Sequence, residues 1–347
     1  MLLCLNGQNF GAVINFSYIF FFNGHILDVA ITLHICIKIL YYSPYMTDRM
    51  LFHGSHDQAL AEKVASIIGC ELGRLEITSF KDTEQRVRVL DDVGDKTAFV
   101  ILSVSTPVND RLVEMCLIAD ALRGADAKKI IAVVPYLGYM RQDKAHREGE
   151  AVSARVIARM IESSGYDKVI TIDMHSDASA GFFNIPVNHL FSFNLFADVI
   201  AKEHKEPIIV APDAGGTKRA QRFASLLDAP MILLEKKRSL EKVHVVEHMK
   251  LIGSSENKEA VIIDDLVTSG QTLAKAAKAL KEEGAPRVVA CVTHPVFIDG
   301  TVENLSNSEL DAIYITDTIP LKKEQLFPKL HVVSVASLLA EAIMKTR

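Results

Sequence analysis

From residue 50 onward, short and continuously apolar runs alternate with segments of helical spacing. The runs 98–102, 130–134, 169–172, 208–210, 261–263, 288–292 and 332–335 are apolar but for Thr171 and Ser334. That is the pattern of strands covered on both faces of a parallel sheet, not of strands with one wet face. Between the first and second of these runs, residues 109–122 place Leu112, Met115, Cys116, Ala119 and Leu122 along one helical stripe. The alternation predicts an α/β protein with parallel sheets flanked by helices. Seven or more strands over about 300 residues exceed a usual single domain, so two are expected, 50–192 and 193–347, dividing where a helix opens near 190–194. No Pro/Gly-rich linker marks the division, which implies a shared interface.

The chain before this pattern differs in character. Its first 45 residues hold one acid, Asp28, and one base, Lys38. Two apolar runs, 10–22 and 29–42, each fall short of the roughly 20 residues that span a bilayer. A basic start and a small-residue cleavage pattern, the marks of a signal peptide, are missing. The excess of Phe, Ile, Asn and Tyr is what A/T-rich DNA encodes when read without selection. Residues 1–49 are therefore expected to be an atypical apolar leader outside the fold, with a mis-set start upstream of Met46 or Met50; a membrane-associating hairpin is the rival reading. A chain starting at Met46 or Met50 should be soluble, fully active and normally assembled. Any peptide from 2–45 in protein taken from its own cells would overturn the mis-set start.

Composition narrows the partners. Hydrophobic residues make up 49% of the 347-residue chain, enough for a large core, and the formal charge is −5. That balance gives no general attraction to nucleic acid or anionic membranes and points to a small-molecule partner. Cys4, Cys36, Cys70, Cys116 and Cys291 are scattered, odd in number and free of CxxC spacing. Neither a disulfide framework nor a zinc site is indicated, which fits a reducing cytoplasm. Neither a Walker loop nor a G-x-G-x-x-G fingerprint occurs, so a nucleotide must be held some other way.

The strongest chemistry lies in VIIDDLVTSGQTL, residues 261–273. An apolar strand ends in Asp264 and Asp265, and Thr268, Ser269, Gly270, Gln271 and Thr272 open a helix. Ligands of α/β sheets bind at this end of a strand. The loop offers N–H groups and hydroxyls to a phosphate, while the carboxylates suit hydroxyls or a metal ion. A sugar phosphate would satisfy both; in isolation the string also fits a solvated turn ahead of a helix cap. Four more strings sit at strand ends or in loops. SFKDTEQ carries Phe80, Asp82, Thr83 and Glu84, able to stack on a base or accept from an amine or hydroxyl. PYLGYMRQDK carries Arg141, which can fork onto phosphate, and Gln142. TIDMHSD carries His175, and VAPDAGGTKRA carries Asp213. A fifth, LLEKKRSLEK, carries Lys236, Lys237 and Arg238 after an apolar strand; alone it reads as a solvated face.

In this order and spacing the strings closely resemble the ribose-phosphate pyrophosphokinases, synthetases of phosphoribosyl diphosphate, from about residue 51 to the end of the chain. STPVND, GFFNIPVNHL and PDAGGTKRA are further matches. The resemblance implies two phosphoribosyltransferase-like domains, a homo-oligomer whose nucleotide site is completed near a subunit interface, and a cytoplasmic enzyme of nucleotide biosynthesis that uses Mg²⁺. It implies transfer of the pyrophosphoryl group of ATP to ribose 5-phosphate. It assigns Phe80, Asp82, Thr83, Glu84, Arg141 and Gln142 to ATP, and His175 and Asp213 to the metal. Lys236 is implied as the catalytic lysine with Arg238 as its partner on a mobile loop. Arg238, Asp264, Asp265 and the 268–272 loop are implied to hold ribose 5-phosphate. Thr83 stands where the family usually has Gly, and Gly138 and Met140 alter the loop before Arg141. A phosphoribosyltransferase would share the 264–272 loop without the nucleotide strings, and a regulatory subunit should have lost the lysine or the metal groups.

Overall fold

The computed structural model describes residues 48–238 and 246–346, with side chains outside 236–250, and the pairs 21–22 and 25–26. In the leader, β1 (Phe21–Phe22) and β2 (His25–Ile26) pair antiparallel. The apolar runs expected there otherwise lie outside the described residues.

The body from Asp48 onward forms one compact unit. Its first half runs β3 (Arg49–His53), α1 (Gln58–Ile68), β4 (Leu75–Ser79), β5 (Gln85–Val89), β6 (Thr97–Ile101), α2 (Val108–Gly124), β7 (Lys129–Val134), α3 (Ser153–Ser163), β8 (Lys168–Ile172) and β9 (Val187–Leu190). The second half runs α4 (Phe193–Glu203), β10 (Ile208–Ala211), α5 (Thr217–Leu226), β11 (Met231–Arg238), β12 (Val246–Ile252), β13 (Ala260–Val267), α6 (Gln271–Glu282), β14 (Val288–Pro295), α7 (Thr301–Ser306), β15 (Ala312–Thr316), β16 (Leu330–Val333) and α8 (Ala336–Lys345). Strands β3-β6-β7-β8-β9 make an all-parallel sheet. The second sheet has the order β12-β11-β10-β13-β14-β15-β16.

The continuously apolar strands have the expected cause. On β13, Ala260 and Ile262 enter one core with Leu273 and Ala277 of α6, while Val261 and Ile263 enter another with Phe196 of α4 and Phe223 of α5. Over residues 260–263 both faces are covered, so no position there is left for a polar residue.

Three local readings change. The acids do not follow β13 but lie within it, because β14 also runs on and pairs Asp264 with Val292 and Leu266 with His294. The basic triplet likewise lies inside β11, since β12 returns antiparallel and sets Lys236 opposite Met249 and Arg238 opposite Val246. On α2 the inward stripe takes Ile118, with Cys116 only half-buried. The hairpin β4–β5 stands apart as a two-stranded ribbon. Its turn closes through Thr83 N–H to Phe80 O (3.0 Å) and Phe80 N–H to Glu84 O (2.8 Å), with Thr83 at φ +76°. A three-residue loop of this kind ends in a left-handed residue. Glycine fits there freely, whereas a β-branched threonine costs on the order of 1–2 kcal/mol.

The two halves are joined by buried polar groups. The Asp173 carboxylate, 3% exposed, accepts from Ser192 Oγ (2.5 Å), Ser192 N–H (3.2 Å) and Thr293 Oγ1 (2.7 Å). His294 bridges Asp173 O (3.2 Å) and Thr318 Oγ1 (3.0 Å), and burial lowers its pKa, keeping it neutral. Ser103 Oγ donates to Thr318 O. At the far side α8 packs on α1, and Arg49 Nη1 donates to Ile343 O (3.2 Å).

One buried acid has no comparable compensation. Asp57 is 2% exposed; Oδ1 accepts from Ser103 N–H at 3.2 Å and Oδ2 has no partner among the described residues. Burial pushes its pKa up to about 7. The folded state thus holds the proton more tightly than the unfolded chain. Stability from this group is full below about pH 4 and is lost as pH rises toward 7. Asp57→Asn is expected to be more stable than the wild type at pH 8, by at most about 4 kcal/mol, and near-equal at pH 4. Thermal melts at the two pH values check this; an equal difference at both would remove Asp57 from the account.

Candidate active site

The carboxyl ends of β8, β10 and β13 open on a cleft of about 880 Å³. Arg141, His175, Asp213, Asp264, Asp265, Thr268, Ser269, Gly270 and Thr272 all line it. Residues up to 131 positions apart in sequence, Arg141 and Thr272, thus converge because parallel strands deliver their ends to one edge.

At its floor the two acids are tied to a histidine and an arginine. His175 Nδ1 lies 2.6 Å from Asp265 Oδ2. Arg219, at the start of α5, places Nη1 3.3 Å from Asp264 Oδ1 and 3.2 Å from Asp265 Oδ1. Burial alone would raise the Asp265 pKa; the His175 hydrogen bond and the Arg219 charge overcome it and hold the group well below the usual carboxylate range. Asp264 moves the other way, raised by burial and by the adjacent Asp265 charge despite Arg219. The two neighbouring acids thus shift in opposite directions, Asp265 toward and Asp264 away from the ionised form.

Asp213 caps the short turn that leads into α5, its Oδ1 accepting from Gly216 N–H at 3.1 Å. On the other wall, Gly270 (φ +75°) ends the loop and begins α6. A Cβ there would sit 2.7 Å from Leu305 Cγ, so both the backbone angle and the space require glycine. Gln271, the first residue of α6, is exposed and does not line the cleft.

Other sequence candidates lie elsewhere. Phe80, 55% exposed, and Asp82, Thr83 and Glu84 are at the tip of the β4–β5 hairpin, outside the cleft lining. Gln142 is turned to α3, where its side chain receives the Ser153 hydroxyl and its carbonyl accepts from Ala154 N–H at 3.2 Å. Lys236 and Arg238 are placed only by their backbone in β11; Leu233 and Glu235 of that strand line the cleft. Arg219 was not singled out from the sequence. Its signal was faint but present: a basic residue six positions after Asp213, on a helix following the strand that pairs with β13.

A family model described as the N-terminal domain of ribose phosphate pyrophosphokinase matches residues 49–165, and one described as the phosphoribosyl synthetase-associated domain matches 234–347. A ribose-phosphate pyrophosphokinase of Thermosipho africanus is 41% identical over 301 residues, covering 86% of this chain and 94% of the relative. The chain belongs to the ribose-phosphate pyrophosphokinase family. A family member from Thermotoga maritima is 38% identical over 307 residues, covering 87% of this chain and 96% of its own. Among solved structures, phosphoribosylpyrophosphate synthetase from Mycobacterium smegmatis superposes with a TM-score of 0.81 at 32% identity, over 86% of this chain and 98% of the other. The pyrophosphokinase fold, mainly parallel sheets flanked by helices, is the one the apolar runs imply. No helix among the described residues is long and apolar enough to cross a membrane.

Proposed function

We propose that this pyrophosphokinase transfers the pyrophosphoryl group of ATP to the anomeric hydroxyl of ribose 5-phosphate in the cleft described above, giving 5-phospho-ribose 1-diphosphate and AMP. The observation that carries this reading is the meeting, in one cleft of a family member, of an acid pair, a glycine-ended loop at a helix N-terminus, and His175 with Asp213. The loop 268–272 receives the 5-phosphate. Asp264 and Asp265 receive ribose hydroxyls. Arg141 and the hairpin residues Phe80, Asp82, Thr83 and Glu84 contact ATP, with Gln142 beside them. The exposed position of the hairpin tip suits contact with a nucleotide held in part by a neighbouring subunit, hence a homo-oligomer. The two sheets are read as two phosphoribosyltransferase-like domains meeting near residue 192.

Mg²⁺ fits this donor set. No three His, Cys, Asp or Glu side chains converge as a cage among the described residues. Magnesium is commonly held by one or two protein groups plus substrate phosphates and water. His175, fixed by its Nδ1 contact with Asp265, and Asp213 would hold it. When bound, the ion supplies neutralisation of phosphate charge. The chain's own part is to align the sugar hydroxyl with the β-phosphorus, clamp the phosphates with Lys236 and Arg238, and exclude water. A cytoplasmic enzyme of nucleotide biosynthesis is the setting.

Incubation with ribose 5-phosphate and ATP should give equal amounts of AMP and pyrophosphorylated sugar; ADP with a phosphorylated sugar, or no AMP, would overturn the reading. Asp264→Asn should raise the KM for ribose 5-phosphate about tenfold, with less effect on ATP, because an amide cannot take both donors that a carboxylate accepts. An unchanged sugar KM would count against that role.

A further inference from the structure

The loop 268–270 does not hold its shape by its own hydrogen bonds. Thr301 Oγ1 lies within hydrogen-bond reach of Thr268 O and of Ile298 O, its one proton shared between them, and Asn304 Nδ2 donates to Ser269 O at 2.8 Å. Both donors come from α7, more than thirty residues away in sequence. The helix is seated firmly: Thr301 and Leu305 are fully buried, and Leu305 packs where a Gly270 side chain would be. Thr301 is also locked at the N-terminal end of α7, accepting from Ile298 N–H at 3.1 Å.

These two bonds have a directional consequence. In a trans peptide the carbonyl and the following N–H point opposite ways. Pinning the carbonyls of Thr268 and Ser269 toward α7 therefore turns the N–H groups of Ser269 and Gly270 the other way. Neither N–H is spent on a backbone acceptor among the described residues. A glycine-containing loop at a helix N-terminus has a second stable arrangement, with a peptide flipped. The Ser269–Gly270 peptide is the vulnerable one, because glycine has access to either side of φ. Flipped, it would present a carbonyl oxygen where the phosphate is to sit, replacing attraction by repulsion.

From this geometry we infer that Thr301 and Asn304 are positioning residues for the ribose 5-phosphate site: α7 holds the peptides of the loop in the one orientation that binds a phosphate. The inference rests on the assignment of the 268–272 loop to the 5-phosphate. Asn304 sets the critical Ser269–Gly270 peptide, and Thr301 the one before it. Neither residue lines the cleft or touches the sugar.

The test is calorimetric titration of full-length Asn304→Ala with ribose 5-phosphate, with inorganic phosphate and with ATP, beside a thermal melt. Weakening of ribose 5-phosphate and phosphate by roughly tenfold or more, the scale of lost charge-assisted hydrogen bonds, with ATP affinity within about twofold, supports the inference. Equal weakening of all three ligands, or no change, overturns it. Thr301→Val and Thr301→Ser guard against a folding artefact: serine keeps the hydroxyl and should bind as the wild type, valine should not, and identical behaviour of the two overturns the role of Thr301. Thr272→Val separates this inference from the assignment beneath it. If Thr272→Val weakens ribose 5-phosphate and Asn304→Ala does not, the inference alone fails. If neither does, the loop is not the phosphate site and both fail.

Discussion

Arg219→Met is expected to lower stability by about 3 kcal/mol at pH 7 and to abolish measurable binding of ribose 5-phosphate. Among the described residues Arg219 is the one side chain within 3.3 Å of both acids, and Asp265 is 3% exposed. Removing a cation from a buried pair leaves uncompensated charge, which costs more than the pair itself contributes. The pH dependence gives the sign. Asp265 has a depressed folded pKa, so its stabilisation is present above the unfolded carboxylate pKa and is lost as pH falls through the folded value. Without Arg219 the folded pKa rises, and the deficit of the variant should be large at pH 7 and shrink toward pH 4, where acids begin to be protonated in both states. Melting curves across that interval check it. A deficit that stays constant with pH would mean that Arg219 acts through packing of its stem and not through its charge.

Lys236→Ala is expected to leave the fold and substrate binding in place and to cut kcat by a hundredfold or more. Pyrophosphoryl transfer builds charge on the phosphate oxygens and on the leaving α-phosphate, and little covalent work falls to the protein. One preorganised cationic contact to such charge is worth about 3 kcal/mol or more. Single-turnover measurements at saturating ATP and ribose 5-phosphate separate this from a loss of affinity. Turnover within about threefold of the wild type would remove Lys236 from the reaction.

What was legible in the chain follows from how far each feature depends on distant partners. Strands such as 261–263 announce themselves because both of their faces are covered, a local requirement written in every residue. The extension of β13 through Asp264 and Asp265 depends on β14 running equally far, and the course of β11 through Lys236 depends on β12 returning beside it. Neither partner is visible from the residues it pairs. His175, Asp213 and the 264–272 loop stand at strand ends, where position itself marks a site, and the cleft gathers them. Arg219 escaped because it sits in TKRAQR, where Lys218 and Arg222 make it look like one more solvated charge on an amphipathic helix. An adjacent acid pair entering a buried strand was the hint that some cation had to answer it. Thr83 was noted as a departure from glycine, and its φ of +76° shows what that departure costs.

The polar seam through Asp173, Ser192, Thr293 and His294 also limits how this enzyme can move. A carboxylate held by Ser192 at the junction and by Thr293 across it, with a neutral imidazole behind it, cannot be pulled apart without stranding a buried charge. A jaw-like swing of one half onto the other would have to break these bonds. Arg141, Asp143, Lys144 and His146, by contrast, line the cleft from a loop outside any helix or strand.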